Sequence, residues 1–221
     1  MTAALPRRPA ASGDVVAAFD VDGTLTSSDS MVPFLERLAG RTKLLLGIGR
    51  QPLRVADSVV RRDRDRLKAV AVRAAYAGRE VAAVEALGRE YATVIESTML
   101  RDDTLSRLRW HQSEGHWVVF VSASLGAYLH PLGVSLGVDG VICTEALVGA
   151  DGRYSGEMVG ANCRGPEKER RLREWLNANE LGGATLWAYG DSAGDRELLL
   201  AAHHRTNVKG RTISETPEST A

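Results

Sequence analysis

VVAAFDVDGTLT, residues 15–26, begins as a short β-branched, apolar run and then places two aspartates, Asp20 and Asp22, one residue apart. The run Val15–Phe19 reads as a buried strand. Carboxylates are rarely buried without a partner, and crowded ones raise each other's pKa unless a cation lies between them. The stretch therefore asks for either a metal or a turn. Along a strand, residues i and i+2 face the same way, so Asp20 and Asp22 can address one ligand from one side.

The surrounding texture decides what kind of sheet this strand enters. Residues 31 to about 97 are helical in pattern. Val81, Val84, Leu87, Tyr91, Val94 and Ile95 recur at helical spacing. RDRLKAVAVRAAYA (64–77) reads as another helix stopped by Gly78, and Pro52 breaks the one that begins near Leu44. Beyond residue 98, strands and helices alternate. A helix ends at Gly115, then WVVFVSA (117–123) and DGVICT (139–144) read as strands around a helix that carries Pro131. EALVGADGRYSGEMVG (145–160) alternates about Asp151-Gly152 as a hairpin. GPEKERRLREWLNAN is a helix with Pro166 in its first turn. ATLWAYGDS (184–192) is a fourth strand, DRELLLAA a helix, and HRTNV a last short strand.

Such alternation of apolar strands and helices predicts an α/β fold, a doubly wound parallel sheet covered on both faces. Ligands bind beyond the carboxyl ends of such strands. Asp20 and Asp22 close the first strand, Ser122 the second and Asp191 the fourth, while Lys168 opens the helix after the hairpin. These residues should converge on one face.

Composition sets the outer bounds. The chain has 221 residues, 44% hydrophobic and 25% charged, which suits one core domain with a smaller insert. A formal net charge of +0 argues against nucleic acid as a partner. Two cysteines, Cys143 and Cys163, are too few for a disulfide framework and are expected as free buried thiols. MTAALPRRPAASGD lacks the apolar core of a signal peptide and reads as a loose arm over 1–13; residues 212–221 read as a loose tail. With no run of 18 apolar residues, no membrane span and a cytoplasmic location are expected. Residues 41–68 carry nine basic residues against three acidic ones, read as a solvated helical face. The rival reading is weak contact with an anionic membrane surface, with LLLGIG (44–49) dipping into it. His111, His116, His203 and His204 lack a matching ligand set and are read as structural, and the four tryptophans as core.

A cluster of Asp20, Asp22, Asp191 and Asp195 suits a hard cation such as Mg²⁺, which shares its coordination with phosphate. Thr24 and Ser122 offer hydroxyls, the backbone at Ala123 offers an N–H, and Lys168 a positive charge. Together these neutralise the oxygens of a transferring phosphoryl group. An aspartate can attack phosphorus, and a second can move the proton.

FDVDGTLT, VSAS, the lysine of GPEKERRL and YGDSAGD, in that order from Phe19 to Asp195, resemble the four motifs of the haloacid dehalogenase-like (HAD) superfamily. The helical insert resembles the C1 cap of its subfamily IB, the phosphoserine-phosphatase-like group. The resemblance implies a Rossmann-like core over 14–28 and 98–211 and a cap over 29–97. It implies a Mg²⁺-dependent phosphatase acting on a small-molecule or lipid phosphomonoester. Asp20 would be the nucleophile and Asp22 the general acid/base. Thr24, Ser122, Ala123 and Lys168 would hold phosphate, and Asp20, Asp22, Asp191 and Asp195 would hold the metal, Asp22 through its carbonyl. TSSDSMVPF after the first motif, SAS in the second and GDSAGD in the fourth depart from the phosphoserine phosphatase pattern. Phosphoserine phosphatase itself, and a non-enzymatic phosphoaspartate signalling or lipid-surface protein, stand as alternatives.

Overall fold

The computed structural model describes residues 13–52, 56–57 and 63–217. Nearly all of the expected N-terminal arm, and Arg54, Arg61 and Arg62 of the basic insert, lie outside the described residues.

Val15–Phe19 is β1, at the centre of a five-stranded sheet. The others are β2 (Trp117–Leu125), β3 (Gly140–Thr144), β6 (Thr185–Gly190) and β7 (His204–Asn207), in the order β3-β2-β1-β6-β7, every neighbouring pair parallel. β4 (Ala146–Val148) and β5 (Tyr154–Met158) form the separate antiparallel hairpin. The helices are α1 (Met31–Ala39), α2 (Arg41–Gly49), α3 (Arg64–Tyr76), α4 (Val81–Thr98), α5 (Asp102–Ser113), α6 (Gly126–Leu136), α7 (Pro166–Ala178) and α8 (Arg196–Ala201). The Rossmann-like α/β architecture expected from the alternation is the one observed.

Register explains why the polar residues meet. Phe19 pairs with Phe120 on one side and Tyr189 on the other. Asp20, Ser122 and Asp191 each follow this row within two residues, so three distant segments end at the same level. Alternate residues of β1 serve two cores. Ala17 and Phe19 face one that includes Phe120 and Leu132; Val16 and Ala18 face one that includes Leu172, Leu186 and Leu198. The first core runs on into the insert through Phe34, Tyr76 and Tyr91, and the Phe34 ring lies 4.8 Å from that of Tyr128 on α6. Each such fully buried aromatic contributes roughly 1.5–3 kcal/mol.

The insert leaves and re-enters the sheet domain through two segments lying side by side. Thr26 and Leu100 form an antiparallel bridge, flanked by Ser27 N–H to the Met99 carbonyl (2.8 Å) and Arg101 N–H to the Leu25 carbonyl (2.9 Å). A second attachment lies at the far end, where Gly78 N–H reaches the Tyr154 carbonyl (2.8 Å) and Tyr154 N–H the Arg79 carbonyl (2.9 Å).

HRTNV, read as a last short strand, forms β7 at the edge of the sheet and is largely exposed. Two expectations are corrected. Residues 213–215, expected in a loose tail, are pinned: Asp103 accepts from Ile213 N–H, and Arg107 donates to the Ser214 and Glu215 carbonyls. Trp110, Trp175 and Trp187 are half-buried, and only Trp117 is core. Both cysteines are free and buried.

Candidate active site

At the carboxyl end of β1 the chain makes a wide turn over Val21–Leu25, with Gly23 at φ 80°. A Cβ on Gly23 would come within 2.5 Å of the Asp191 carboxylate, so glycine is needed there both for its conformation and for the approach of Asp191. The turn sends the Asp20 and Asp22 carboxylates to different partners.

Asp20 is buried. Its Oδ1 lies 2.5 Å from Lys168 Nζ, and its Oδ2 accepts from the Thr24 hydroxyl at 3.2 Å. Lys168, itself 2% exposed, also reaches Asp195 Oδ1 at 2.5 Å. Burial alone would push the Lys168 pKa down; the two carboxylates outweigh it and hold it up at about 12. Glu167 and Glu169, next to it in sequence, are used instead by Arg170, Arg171 and Arg173 on the outer face of α7. One lysine shared by two carboxylates leaves an excess of negative charge. Burial pushes the Asp20 pKa up to about 7, Lys168 opposes the rise, and Asp195 and Asp22 add to it.

The Asp195 carboxylate is fixed by its own turn: its Oδ2 accepts from Ser192 N–H (2.9 Å) and the Ser192 hydroxyl (2.7 Å). Burial pushes its pKa up, but Lys168 and Ser192 outweigh that and hold it below the usual carboxylate range. Half-buried Asp191 is raised, first by burial and then by Asp195. Carboxylate oxygens of Asp20, Asp191 and Asp195 all lie within 4.8 Å of one another. This all-oxygen donor set fits a hard divalent cation.

The Asp22 side chain stands apart from that trio. Its Oδ1 accepts from Ser30 N–H (3.0 Å) and the Ser30 hydroxyl (2.5 Å), and its Oδ2 from the Ser124 hydroxyl. Burial raises its pKa, against the pull of Ser124 and Ser30. The expected ligand from Asp22 is its backbone carbonyl, and its carboxylate lies apart from the other three, held by Ser30 and Ser124. Thr24, expected at the phosphate, does not line the cleft; its hydroxyl donates to Asp20.

The cleft above these groups measures about 220 Å³, and Asp20, Asp22, Ser122, Ala123, Lys168 and Asp195 all line it. Larger clefts of about 870 and 600 Å³ lie elsewhere. Convergent ionisable groups with displaced pKa values, more than volume, mark the smaller one as the site. Ser122 Oγ accepts from Ser124 N–H at 3.1 Å, which leaves its own proton free to donate.

Ser124, Asn162, Arg164 and Lys68 also line the cleft and were not singled out in the sequence. Ser124 ends the VSAS stretch and shares a strand face with Ser122, so that alternation could have found it. Lys68 corrects the reading of the basic insert as a solvated face. It is 7% exposed, reaches down from α3 to the Ala123 carbonyl, and lies 2.7 Å from Asn162 Oδ1. Burial lowers its pKa to about 8. Its spacing to buried Val72 and Ala75 was the available signal.

Comparison with known proteins identifies the family. A Caulobacter vibrioides protein, CicA, is 37% identical over 191 residues, covering 86% of this chain and 84% of that protein. Phosphoserine phosphatase SerB1 of Mycobacterium tuberculosis is 28% identical over 198 residues, 87% of this chain and 64% of that one. A solved structure from Bordetella pertussis, of unknown function, shares the fold at a TM-score of 0.74 with 22% identity, covering 89% of this chain and 90% of that one. The family model described as haloacid dehalogenase-like hydrolase matches residues 17–200, from β1 through the Asp191–Asp195 turn into α8: the chain belongs to the haloacid dehalogenase-like hydrolases.

Proposed function

We propose that this hydrolase is a phosphatase that cleaves a small-molecule or lipid phosphomonoester through an aspartyl-phosphate on Asp20. The observation that carries the reading is one cleft in which Asp20 meets Lys168 at 2.5 Å while Asp22, two residues on, is held by separate hydroxyls. The two carboxylates thus have different environments, as a nucleophile and a proton carrier need. Similarity to a protein named phosphoserine phosphatase supports the class.

The Asp20 carboxylate attacks phosphorus, and the bond from phosphorus to the leaving oxygen breaks. Asp22, whose burial favours the protonated form, gives its proton to that oxygen. In the second half, Asp22 takes a proton from water; the water oxygen attacks phosphorus, the bond to Asp20 breaks, and phosphate leaves. The Ser122 hydroxyl and the Lys168 ammonium meet the phosphoryl oxygens. Asp20, Asp191 and Asp195, with the Asp22 carbonyl, would hold Mg²⁺, which when bound supplies positive charge beside the phosphoryl oxygens and favours the ionised form of Asp20.

Residues 29–97 act in this reading as a cap over a core of 14–28 and 98–211, and Lys68 carries the cap's charge into the cleft. No described helix is long and apolar enough to cross a membrane. Leu45 and Leu46, exposed on α2 near Arg41 and Lys43, are where a weak anionic surface contact would form.

The test is phosphate release with Mg²⁺ from phosphoserine, histidinol phosphate, glycerol phosphate, a lipid phosphate and an aryl phosphate. Asp20→Asn should lose turnover by about a thousandfold or more, a loss of roughly 4 kcal/mol of transition-state stabilisation. Turnover retained in that variant would sink the mechanism.

A further inference from the structure

A second cluster of unlike ligand groups gathers around the edge strand β3, among residues that do not line the cleft just described. His130 projects from α6, Cys143 from β3, and Glu145 follows β3 at the root of the hairpin. His130 Nε2 is 2.7 Å from Glu145 Oε1, Cys143 Sγ is 3.0 Å from the same oxygen, and Sγ and Nε2 are 3.8 Å apart. These donor atoms lie within 4.8 Å of one another. None of the three residues takes part in the proposed hydrolysis.

We propose that His130, Cys143 and Glu145 bind a single divalent transition-metal ion of the zinc type. The donor chemistry favours it. Thiolate, imidazole and carboxylate are the three side-chain ligands zinc takes, whereas Mg²⁺ avoids sulfur. The spacing favours it too. Zinc bonds of about 2.0–2.3 Å at tetrahedral angles separate neighbouring ligand atoms by about 3.3–3.5 Å. The observed separations of 2.7, 3.0 and 3.8 Å straddle that value, so sub-ångström shifts would admit the ion.

Two further observations point to a built site. Glu145 is seated against Gly126, where any Cβ would collide with its carboxylate, so the first residue of α6 is cut away to receive it. Tyr76 packs edge-on against Tyr154 of the hairpin, 5.0 Å between ring centres, and its hydroxyl is buried and has no hydrogen-bond partner among the described residues. The charged or ionisable groups that bear on that hydroxyl are Tyr154, Glu145 and Cys143. An orphaned buried hydroxyl costs free energy. A water in the fourth position of the metal would satisfy it.

Binding is written as an exchange of ion for proton. The Cys143 thiol, which now donates to Glu145, loses its proton to solvent as the sulfur–metal bond forms. Thiolate and carboxylate then balance the two charges of the ion. The site joins α6, β3 and the hairpin, next to a cleft of about 600 Å³ that also includes Glu85 and Arg89 of α4. A bound ion would brace this junction of insert and core.

Cobalt(II) titration of the intact, metal-stripped chain tests the proposal, because a cobalt–thiolate bond has its own charge-transfer absorption. One equivalent should give that band, Zn²⁺ should bleach it, and excess Mg²⁺ should not. Cys163→Ser should keep the band, and Cys143→Ser should abolish it. In competition with a chromophoric zinc chelator, His130→Gln and Glu145→Gln should each weaken Zn²⁺ binding by about tenfold or more. Absence of a thiolate band in the parent chain overturns the proposal regardless of how any variant folds. So does a band that survives Cys143→Ser, or one that is lost only in Cys163→Ser.

Discussion

Replacing Lys168 by methionine keeps the stem of the side chain and removes its charge. In the structure that charge lies 2.5 Å from both Asp20 and Asp195, whose side chains are 8% and 1% exposed. Among the described residues, Lys168 is the cation hydrogen-bonded to both carboxylates. Removing one partner of a buried ion pair costs about 3–5 kcal/mol, because the remaining charge is left uncompensated. For a chain of this size each kcal/mol lowers the melting temperature by roughly 2–4 °C, so a fall of roughly 6–20 °C is expected without Mg²⁺ at pH 8. The sign with pH follows from the carboxylates. Asp20 has a folded pKa raised from 3.8 to about 7, and loss of the lysine moves it further up. A raised carboxyl costs stability as pH climbs above the unfolded value, and that cost fades in acid as the group takes up a proton. The deficit of Lys168→Met relative to the parent should therefore shrink at pH 5, and Lys168→Met/Asp20→Asn should recover part of it at pH 8. Melting followed by circular dichroism at both pH values would measure this. An equal deficit at pH 5 and 8, with no recovery in the double variant, would refute the electrostatic account and leave the lysine as packing.

Gly23→Ala forces an L-residue to φ 80° and drives its Cβ onto Asp191, so it should lose about 1–3 kcal/mol of stability and bind Mg²⁺ more weakly by calorimetric titration. Gly88 of α4 lies so close to the Ala127 carbonyl of α6 that a Cβ there has no room. Gly88→Ala should cost roughly 1–3 kcal/mol in denaturant melts, and a neutral result would mean the two helices separate freely. Buried His111, between His116 and the Tyr189 hydroxyl, has its pKa lowered from 6.5 to about 3, first by burial and then by His116 and Arg107. A depressed histidine gives stability above pH 6.5 that is lost as pH falls toward 3. The parent chain should thus weaken between pH 6.5 and 4.5 more steeply than His111→Gln, and parallel curves would exclude His111 as the cause.

The sheet was legible in the sequence because its strands are buried, short and punctuated. VVAAF and WVVFVSA have apolar side chains on both faces, and Gly115, Pro166 and Asp151-Gly152 mark where elements begin or turn. Asp20, Asp191 and Lys168 could be placed near one another because a parallel sheet brings its carboxyl ends to one edge. The partition of hydrogen bonds could not be read. That Thr24 serves Asp20, or that Asp22 turns to Ser30 and Ser124, depends on the turn at Gly23. Lys68 was hidden for another reason: its charge resembles that of its solvated neighbours, and only the docking of α3 on the core decides which cation enters the cleft. The pinning of residues 213–215 rests on Asp103 and Arg107, about a hundred positions away, and leaves no local trace in ISETPESTA.

The insert is attached at both of its ends: by the paired segments at Thr26 and Leu100, and by the hydrogen bonds of Gly78 and Arg79 to Tyr154. A flap on one hinge swings; a plank held at two ends can only rock or take one support with it. Any wide excursion of the insert must therefore drag the β4–β5 hairpin along. The strap that follows the hairpin carries Asn162 and Arg164 into the floor of the cleft. In the reading of the insert as a cap, admitting a ligand would therefore move the hairpin and, with it, the strap that lines the cleft.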